Sequence, residues 1–503
     1  GDHTAFLYGN TIDVNHDGIE GAYDHRAETF AKASPAQRKQ MLDYYDMLYK
    51  LIGEKPRSVL VLAAGAGNDL AAGLRHGATD IDAVEIDPVI HKLGTEIHPE
   101  KPYSSPAVHI HIDDARAFLK QTKRQYDLVD FAYLDSHSAF SSMSSIRLDN
   151  YIYTLESFRE AKKLMKPDGI MAVTFYATTS WQTTRLFKTI TEAMGEEPIG
   201  IWSENKTALQ FLVGPGVDRE HIKQVIAGTG MKLFDKEENK ALNKTELADW
   251  DRINVTTDDW PYLFLRERGM TITYAAGLIF TLCIGWRLVR KCFGSYTVEP
   301  LGRTMFYLGA AFMLVEVKSV SQMGLLAGTT WLVNSAVIAA ILIMILIANI
   351  LQMRIKVQDP KPLYILLFVA LIGSYFMPLS MFNAMGMFER LTLGGLVLAL
   401  PIFFASWIFA ITFSKVDVPH NALGMNLLGT LVGGALEYFS MVLGISALNL
   451  VALALYGLAF HYWRKVPLTA SGAATTGSTD AEGGISGTPS AHPTEPGPEP
   501  SPG

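Results

Sequence analysis

The chain has 503 residues, a formal net charge of −7 and two cysteines, Cys283 and Cys292. That length accommodates two or three domains with cores of their own. The modest negative charge, without a basic stripe interleaved with aromatics, excludes a nucleic-acid partner, and the cysteine count excludes a disulfide framework, a Cys-rich metal site and a CxxC redox pair.

Composition divides the chain. Residues 1–269 carry most of the charge, and residues 1–57 read as a lead-in. The opening residues show neither a basic n-region nor an apolar h-region, so no signal peptide is expected in them. The apolar run 58–64 is followed by the turn Gly65-Ala66-Gly67-Asn68-Asp69 and a helical pattern from Leu70 to His76. A strand, a glycine turn and a helix in that order open a nucleotide-binding βα unit, because glycines let the backbone approach a ligand. Asn68 or Asp69 is suited to cap the helix. The next strand, 81–85, ends in Glu85, about 20 positions beyond the turn, where an acid accepts both hydroxyls of a ribose. Asp87 precedes Pro88 and reads as a helix cap instead.

Further strands are predicted over 108–112, leading to Asp113-Asp114-Ala115, and over 126–134, ending at Asp135. A helix over 154–165, the turn Pro167-Asp168-Gly169, a strand over 170–176, a helix over 181–194 and strands near 199–203 and 208–213 complete the unit. Residues 58–215 therefore read as a Rossmann-like α/β domain with Gly65, Gly67, Glu85, Asp114 and Asp135 at successive carboxyl ends of strands, where open sheets bind ligands. Residues 216–269 read as a linker region, in which Thr256 to Tyr262 forms a turn; the rival reading makes Trp260 a lid over the cleft.

Seven apolar segments follow, near 270–289, 304–326, 330–352, 362–383, 391–413, 420–443 and 445–463. Each approaches the roughly 20 residues that cross a bilayer core, so residues 270–466 read as an all-α polytopic transmembrane domain of six or seven spans. Glu316, Lys318, Asn334, Asn426 and Glu437 lie inside these spans, where polar groups are costly and need partners. Glu316 and Lys318 stand about 200° apart around a helix, so each needs a partner from another helix. Gly424, Gly429, Gly433 and Gly434 suit a close helix contact. The tail 467–503, rich in Gly, Pro, Ser and Thr, is expected to be disordered.

The stretches 59–62 with the glycine turn, Val84-Glu85-Ile86-Asp87, 114–119 and 126–135 together resemble the spermidine synthase (polyamine aminopropyltransferase) branch of the class I methyltransferase fold. The runs 257–270, 309–319 and 330–334 resemble bacterial spermidine-synthase-like integral membrane proteins. By that resemblance the cofactor is S-adenosylmethionine or its decarboxylated form. Glu85 holds the ribose, Asp114 with Ala115 the adenine, and the Gly65-Ala66-Gly67-Asn68 loop the sulfonium side chain. Asp135 falls where aminopropyltransferases place the acid that helps deprotonate the attacking amine, and His137 is the alternate base. The pattern departs in three places: Asp-x-x-Asp becomes Asp135-Ser136-His137-Ser138, the loop acid becomes Ala66, and Tyr-His-Glu is matched only by Tyr44-Tyr45-Asp46.

The sequence thus implies a membrane-bound transferase, aminopropyltransferase-like or methyltransferase, with a small-molecule or lipid-like acceptor. The rival is a transporter or channel-like protein whose domain senses an adenosyl nucleotide without turnover. No feature specifies an oligomer. A bacterial inner-membrane location is expected. Arg287, Arg290, Lys291, Arg303, Arg354, Lys356, Lys361, Lys415, Arg464 and Lys465 gather on one side of the spans, which should face the cytoplasm, against Arg390 on the other. Seven crossings would put the N-terminal domain outside. A cytoplasmic domain is expected instead, with 270–289 lying flat in the interface between flanking basic residues.

Overall fold

Short apolar runs alternating with amphipathic helices build one open sheet in the first half of the chain. The computed structural model describes residues 9–14, 18–32, 45–53, 56–134, 148–203, 208–234, 247, 249–270, 272–294, 298–328, 331–377, 379–382, 385 and 389–466. Asp135, His137 and the tail 467–503 lie outside these, as does the side chain of Asn334.

The lead-in contributes the antiparallel hairpin β1 (Gly9–Val14) and β2 (Gly18–Tyr23), then α1 (Ala27–Lys32) and α2 (Asp46–Ile52). The main sheet starts at β3 (Ser58–Leu62), every residue of which is buried. It continues through α3 (Asn68–Arg75), β4 (Asp80–Glu85), α4 (Pro88–Ile97), β5 (Val108–Ile112), α5 (Ala115–Gln121) and β6 (Tyr126–Phe131). After these come α6 (Leu155–Lys163), β7 (Met165–Phe175), α7 (Ser180–Met194), β8 (Ile199–Trp202), β9 (Leu209–Val213), α8 (Arg219–Ile226) and β10 (Lys232–Phe234).

The strands lie in the order β10-β8-β9-β7-β6-β3-β4-β5. Neighbours from β5 to β7 are parallel, and β9, β8 and β10 add antiparallel edges. The chain moves outward from β3 to β5 and then returns to β6 on the other flank of β3. The carboxyl ends of β3 and β6 therefore border the crevice in which a doubly wound sheet takes its ligand.

Three sequence expectations need correction. Strand β6 stops at Phe131, short of the predicted Leu134. Pro167-Asp168-Gly169 is no separate turn but part of β7, taken up where the β6–β7 register shifts between Tyr126↔Met165 and Leu128↔Ile170. The region expected as linker from 216 onward supplies α8 and β10, because Leu233 and Phe234 find buried places beside β8.

The second half is helical: α9 (Ile272–Phe293), α10 (Pro300–Ala327), α11 (Trp331–Ile355), α12 (Lys361–Phe376), α13 (Gly395–Phe413) with a π turn at Arg390–Gly394 before it, α14 (Pro419–Leu436), α15 (Ser440–Leu443) and α16 (Leu448–Trp463). Among the described residues, five segments are long and apolar enough to cross a membrane: Ile272–Cys292, Pro300–Leu326, Val337–Ile355, Arg390–Phe413 and Pro419–Leu443. Helices α12 and α16 are shorter apolar helices.

Helix α10 runs through the middle of this bundle, and two of the four glycines make the close contact expected of them, while Gly434 meets nothing within 4 Å. Gly429 and Gly433 bring α14 against the carbonyls of Phe306 and Ala310 on α10. Asn426 donates from Nδ2 to the Met305 carbonyl at 3.0 Å, satisfying a polar group that lipid would not. Lys318 finds the interhelical partner it needed in Ser374 Oγ, 3.1 Å away on α12. Helix α9 does not lie flat across its neighbour. Tyr274 meets Tyr438 with ring centroids 5.7 Å apart, and Gly285, three turns on, faces Leu428 and Leu431. It therefore runs antiparallel along α14.

Residues 1–465 form one unit, and the segment 254–266 binds its two halves together. Arg185 of α7, fully buried, donates to the carbonyls of Asn254, Tyr262, Leu263, Leu265 and Arg266 at 2.7–3.2 Å. Burial lowers its pKa to about 10, so it stays charged. Its guanidinium lies 5.1 Å from the ring of Trp260. Trp260 is itself fully buried and donates from Nε1 to the Met441 carbonyl of α15 at 2.8 Å. Asp259 accepts from the backbone of Ser446 at 2.7 Å, and its carbonyl accepts from Ile445 at 2.8 Å. Trp260 is thus a bolt between the halves, with no place as a lid.

Candidate functional site

The turn after β3 is the most contorted backbone of the domain. Ala63, Gly65 and Gly67 have φ of 63°, 52° and 104°, a run of left-handed conformations that pulls the chain tightly off the strand end. Gly67, not Asn68 or Asp69, occupies the N-cap of α3 and offers no side-chain cap. Asn68 is used elsewhere: its Oδ1 accepts from the Tyr23 amide at 3.0 Å, and its Nδ2 donates to the Gly21 carbonyl at 2.6 Å. It pins hairpin β1–β2 beside the glycine turn. Ala66 is fully buried against Ala22 of that hairpin, with Leu93 and Ile97 around them. A methyl group in an apolar niche stands at this point of the loop.

Glu85 closes the turn from the next strand. It is buried; Oε2 accepts from the Gly65 amide at 2.8 Å, and Oε1 from the Asp87 amide at 2.9 Å. Burial raises its pKa, while backbone hydrogen bonds from Asp87, Gly65 and Ile86 oppose the rise. A carboxylate offers about four acceptor sites, so three backbone donors leave it acceptor capacity. Asp87 caps α4 through the Val89 amide at 2.7 Å, the structural role its Pro88 neighbour implied.

Asp114 is buried at the N-cap of α5 and accepts from the Ala117 amide at 3.0 Å, with Ala115 beginning the helix. Asp113, beside it, has its pKa raised by burial. The structure therefore brings Gly65, Ala66, Gly67, Asn68, Glu85, Asp114 and Ala115 to one edge of the sheet. It does not place Asp135 or His137, which fall outside the described residues.

Sequence reasoning passed over the second layer. The Tyr103 hydroxyl donates to the Gly65 carbonyl, and its ring packs with Pro102 against Gly67. Gly94 is a further support, since a Cβ there would meet the Ala66 carbonyl at 2.6 Å. Beneath the hairpin, Asp46 accepts from His25 at 3.0 Å, His76 at 3.0 Å and Arg75 at 2.9 Å. Burial works against its ionisation, but the two histidines and the guanidinium hold its pKa well below the usual carboxylate range. Charged residues scattered over 25–76 give no periodic signal, so nothing in the sequence announced this cluster.

The carboxyl edge of the sheet is turned toward the helical half. Gly328, just past α10, lies so close to Asp114 that a Cβ there would stand 2.8 Å from the Asp114 Cβ. Lys120 of α5 donates to the Leu325 carbonyl of α10. Burial drops the Lys120 pKa to about 8. Tyr151, Leu325 and Ile445 form a small buried cluster across the same junction.

A profile described as the spermine/spermidine synthase domain matches residues 43–198. The chain resembles that family over this stretch, less than a third of its length. The match covers the glycine turn, Glu85 and Asp114, and it stops before the linker and the helices. Among relatives, the polyamine aminopropyltransferase of Korarchaeum cryptofilum is 24% identical over 185 residues, 34% of this chain and 54% of that protein. The polyamine aminopropyltransferase of Vibrio vulnificus is 24% identical over 156 residues, 30% of this chain and 50% of that protein. The chain thus spans about half the length of the curated relatives it matches. The crystal structure of spermidine synthase from Thermotoga maritima aligns with a TM-score of 0.32 at 14% identity, covering 48% of this chain and 87% of that one.

Proposed function

We propose that the synthase domain binds an adenosyl cofactor, S-adenosylmethionine or its decarboxylated form, and transfers a carbon group from it to a nucleophilic acceptor. The observation that carries this reading is Glu85: a buried carboxylate at the end of β4, tied to the Gly65 amide and still holding free acceptor capacity. Gly65 and Gly67 offer backbone approach for the sulfonium end, and Asp114 with Ala115 borders the adenine end. When bound, the cofactor supplies a sulfonium that makes the adjacent carbon electrophilic. The chain's own work is to orient the reactants and take up a proton. Asp135 is the residue assigned to receive the acceptor's proton, with His137 as the alternate. The acceptor is a small molecule, and the junction of the sheet edge with α10 at Gly328 and Leu325 favours one that approaches along the helical half. We read that half as a multi-pass membrane domain on the strength of its five long apolar helices.

Calorimetric titration of the detergent-solubilised full chain with S-adenosylmethionine, its decarboxylated form and methylthioadenosine tests the reading. Tighter binding of the decarboxylated form supports aminopropyl transfer; preference for the carboxylated form supports methyl transfer. No binding of any of the three retires the proposal. Glu85→Gln is expected to weaken whichever cofactor binds by about 1.5–3 kcal/mol, the worth of hydrogen bonds to a charged group, or roughly 10- to 150-fold. Asp135→Asn is expected to abolish turnover while cofactor binding persists. Unchanged turnover would take the proton-accepting role away from Asp135, and cofactor binding without turnover in the parent chain itself would favour a sensing domain without chemistry.

A further inference from the structure

The two ends of the helical bundle carry opposite chemistry, and the synthase domain stands at one of them. At the far end, Arg303 in the first turn of α10 lies 5.1 Å from the Tyr462 ring at the end of α16. Lys415, after α13, donates to the Gln358 carbonyl at 2.9 Å in the turn between α11 and α12, and lies 5.8 Å from the Trp463 ring. These contacts hold the start of α10, the turns at 356–360 and 414–418 and the end of α16 at one level. Arg354, Lys356, Lys361, Arg464 and Lys465 belong to the same level, and the last turns of α9 add Arg287, Arg290 and Lys291.

At the near end, the turn residues meet the synthase domain. Leu325 and Gly328 after α10 touch Lys120 and Asp114. Met441, Ile445 and Ser446, around the start of α16, bond to Trp260 and Asp259. Residues 328–330 and 444–447 contain no Lys or Arg, and Arg390 alone represents them in 377–390.

Short loops rich in Lys and Arg stay in the cytoplasm during insertion. The basic end is therefore the cytoplasmic end, and the synthase domain packs on the opposite one. We infer that the synthase domain faces the extracytoplasmic side of the membrane and that its site takes its adenosyl ligand and acceptor from that compartment. This replaces the sequence expectation of a cytoplasmic domain. That expectation rested on counting crossings and laying α9 flat. The contacts of α10, α15 and α16 decide the side whatever α9 does, and α9 running along α14 agrees with them. Orientation rests on the membrane reading of the helical half together with charge and contacts, and the identity of the ligands on the transferase reading.

Single-cysteine accessibility in the full chain tests it. In a Cys283→Ser, Cys292→Ser background, Lys92→Cys and Lys223→Cys place thiols on two exposed helices of the synthase domain, and Gln358→Cys places one in a basic turn. A membrane-impermeant maleimide is expected to label Lys92→Cys and Lys223→Cys in intact spheroplasts and to label Gln358→Cys only after lysis. The reverse pattern, or equal labelling at all three positions before lysis, would overturn the inference. Adenosyl binding by the solubilised chain is blind to orientation. A chain that labels as expected but binds none of the three adenosyl compounds loses the transferase reading and keeps the topology.

Discussion

Asp130 shows how far a single residue can depart from its surroundings. It lies within β6, only 1% exposed, and neither carboxyl oxygen has a hydrogen-bond partner. Burial raises its pKa well above the usual carboxylate range, and the charge of Asp69 adds to the rise. In the folded chain it therefore keeps its proton to a higher pH than in the unfolded one. The sign follows: its contribution to stability is fully present below the unfolded carboxylate pKa of about 3.9 and is lost as pH climbs toward the folded value. Asp130→Asn, neutral at every pH, is expected to raise stability at pH 8 by about 1–3 kcal/mol, in the range of an uncompensated buried polar group. Melting curves across pH check it, since the mutant gain should vanish near pH 4. Equal shifts at both pH values would place the effect in packing instead.

Among elements, the segment 254–266 matters most because it has almost no regular structure of its own. Its carbonyls would be orphaned in the interior, and Arg185 collects five of them with one planar fork. Arg185→Lys keeps the charge but cannot span those acceptors. The variant is expected to lose about 2–4 kcal/mol, in keeping with the upper range for breaking a buried hydrogen-bond network. Limited proteolysis should then cut within 254–266 at a rate the parent protein resists; unchanged proteolysis would mean that Trp250 and Trp260 alone hold the segment. A second element-scale test concerns α10 and α14, whose backbones touch through Gly429 and Gly433. Gly433→Leu is expected to separate the two helices and lower the melting temperature, whereas Gly434→Leu, where a Cβ meets nothing within 4 Å, should leave it unchanged.

For the molecule as a whole, the decisive surface is the one between sheet and bundle. Trp260 fills it, giving its indole proton to Met441 and stacking between Arg185 and Arg268, whose guanidinium carbons lie 5.1 Å and 5.2 Å from its ring. Trp260→Ala is expected to cost about 3–5 kcal/mol, typical for a fully buried large aromatic. Cofactor affinity of the molecules that remain folded should not change, because Trp260 bolts the halves without covering the cleft. A fall in affinity with stability intact would restore the lid.

Much of the fold was legible because local signals agreed with one another. Fully apolar β3, the glycines after it and an acid ending β4 each announce their places within a few residues, so Gly65, Gly67, Glu85 and Asp114 were readable from spacing alone. Apolar length announced the helical half for the same reason, since long helices that are apolar all round leave an unbroken run in the sequence. What spacing cannot carry is which distant residues come to share a neighbourhood. Asn68 was free to cap or to hold a ligand until hairpin β1–β2 claimed it. The end of β6 at Phe131 was set by its partners in the sheet, and its own residues would have let it run on. Trp260 read as part of a linker turn, with a lid as the rival, and spacing could not show that its indole N–H donates to the carbonyl of Met441, from the far end of the chain. The end of the bundle that meets the sheet belongs to this second class too: the sequence sorts the basic turns, but only packing of α10, α15 and α16 against the sheet tells which end that is.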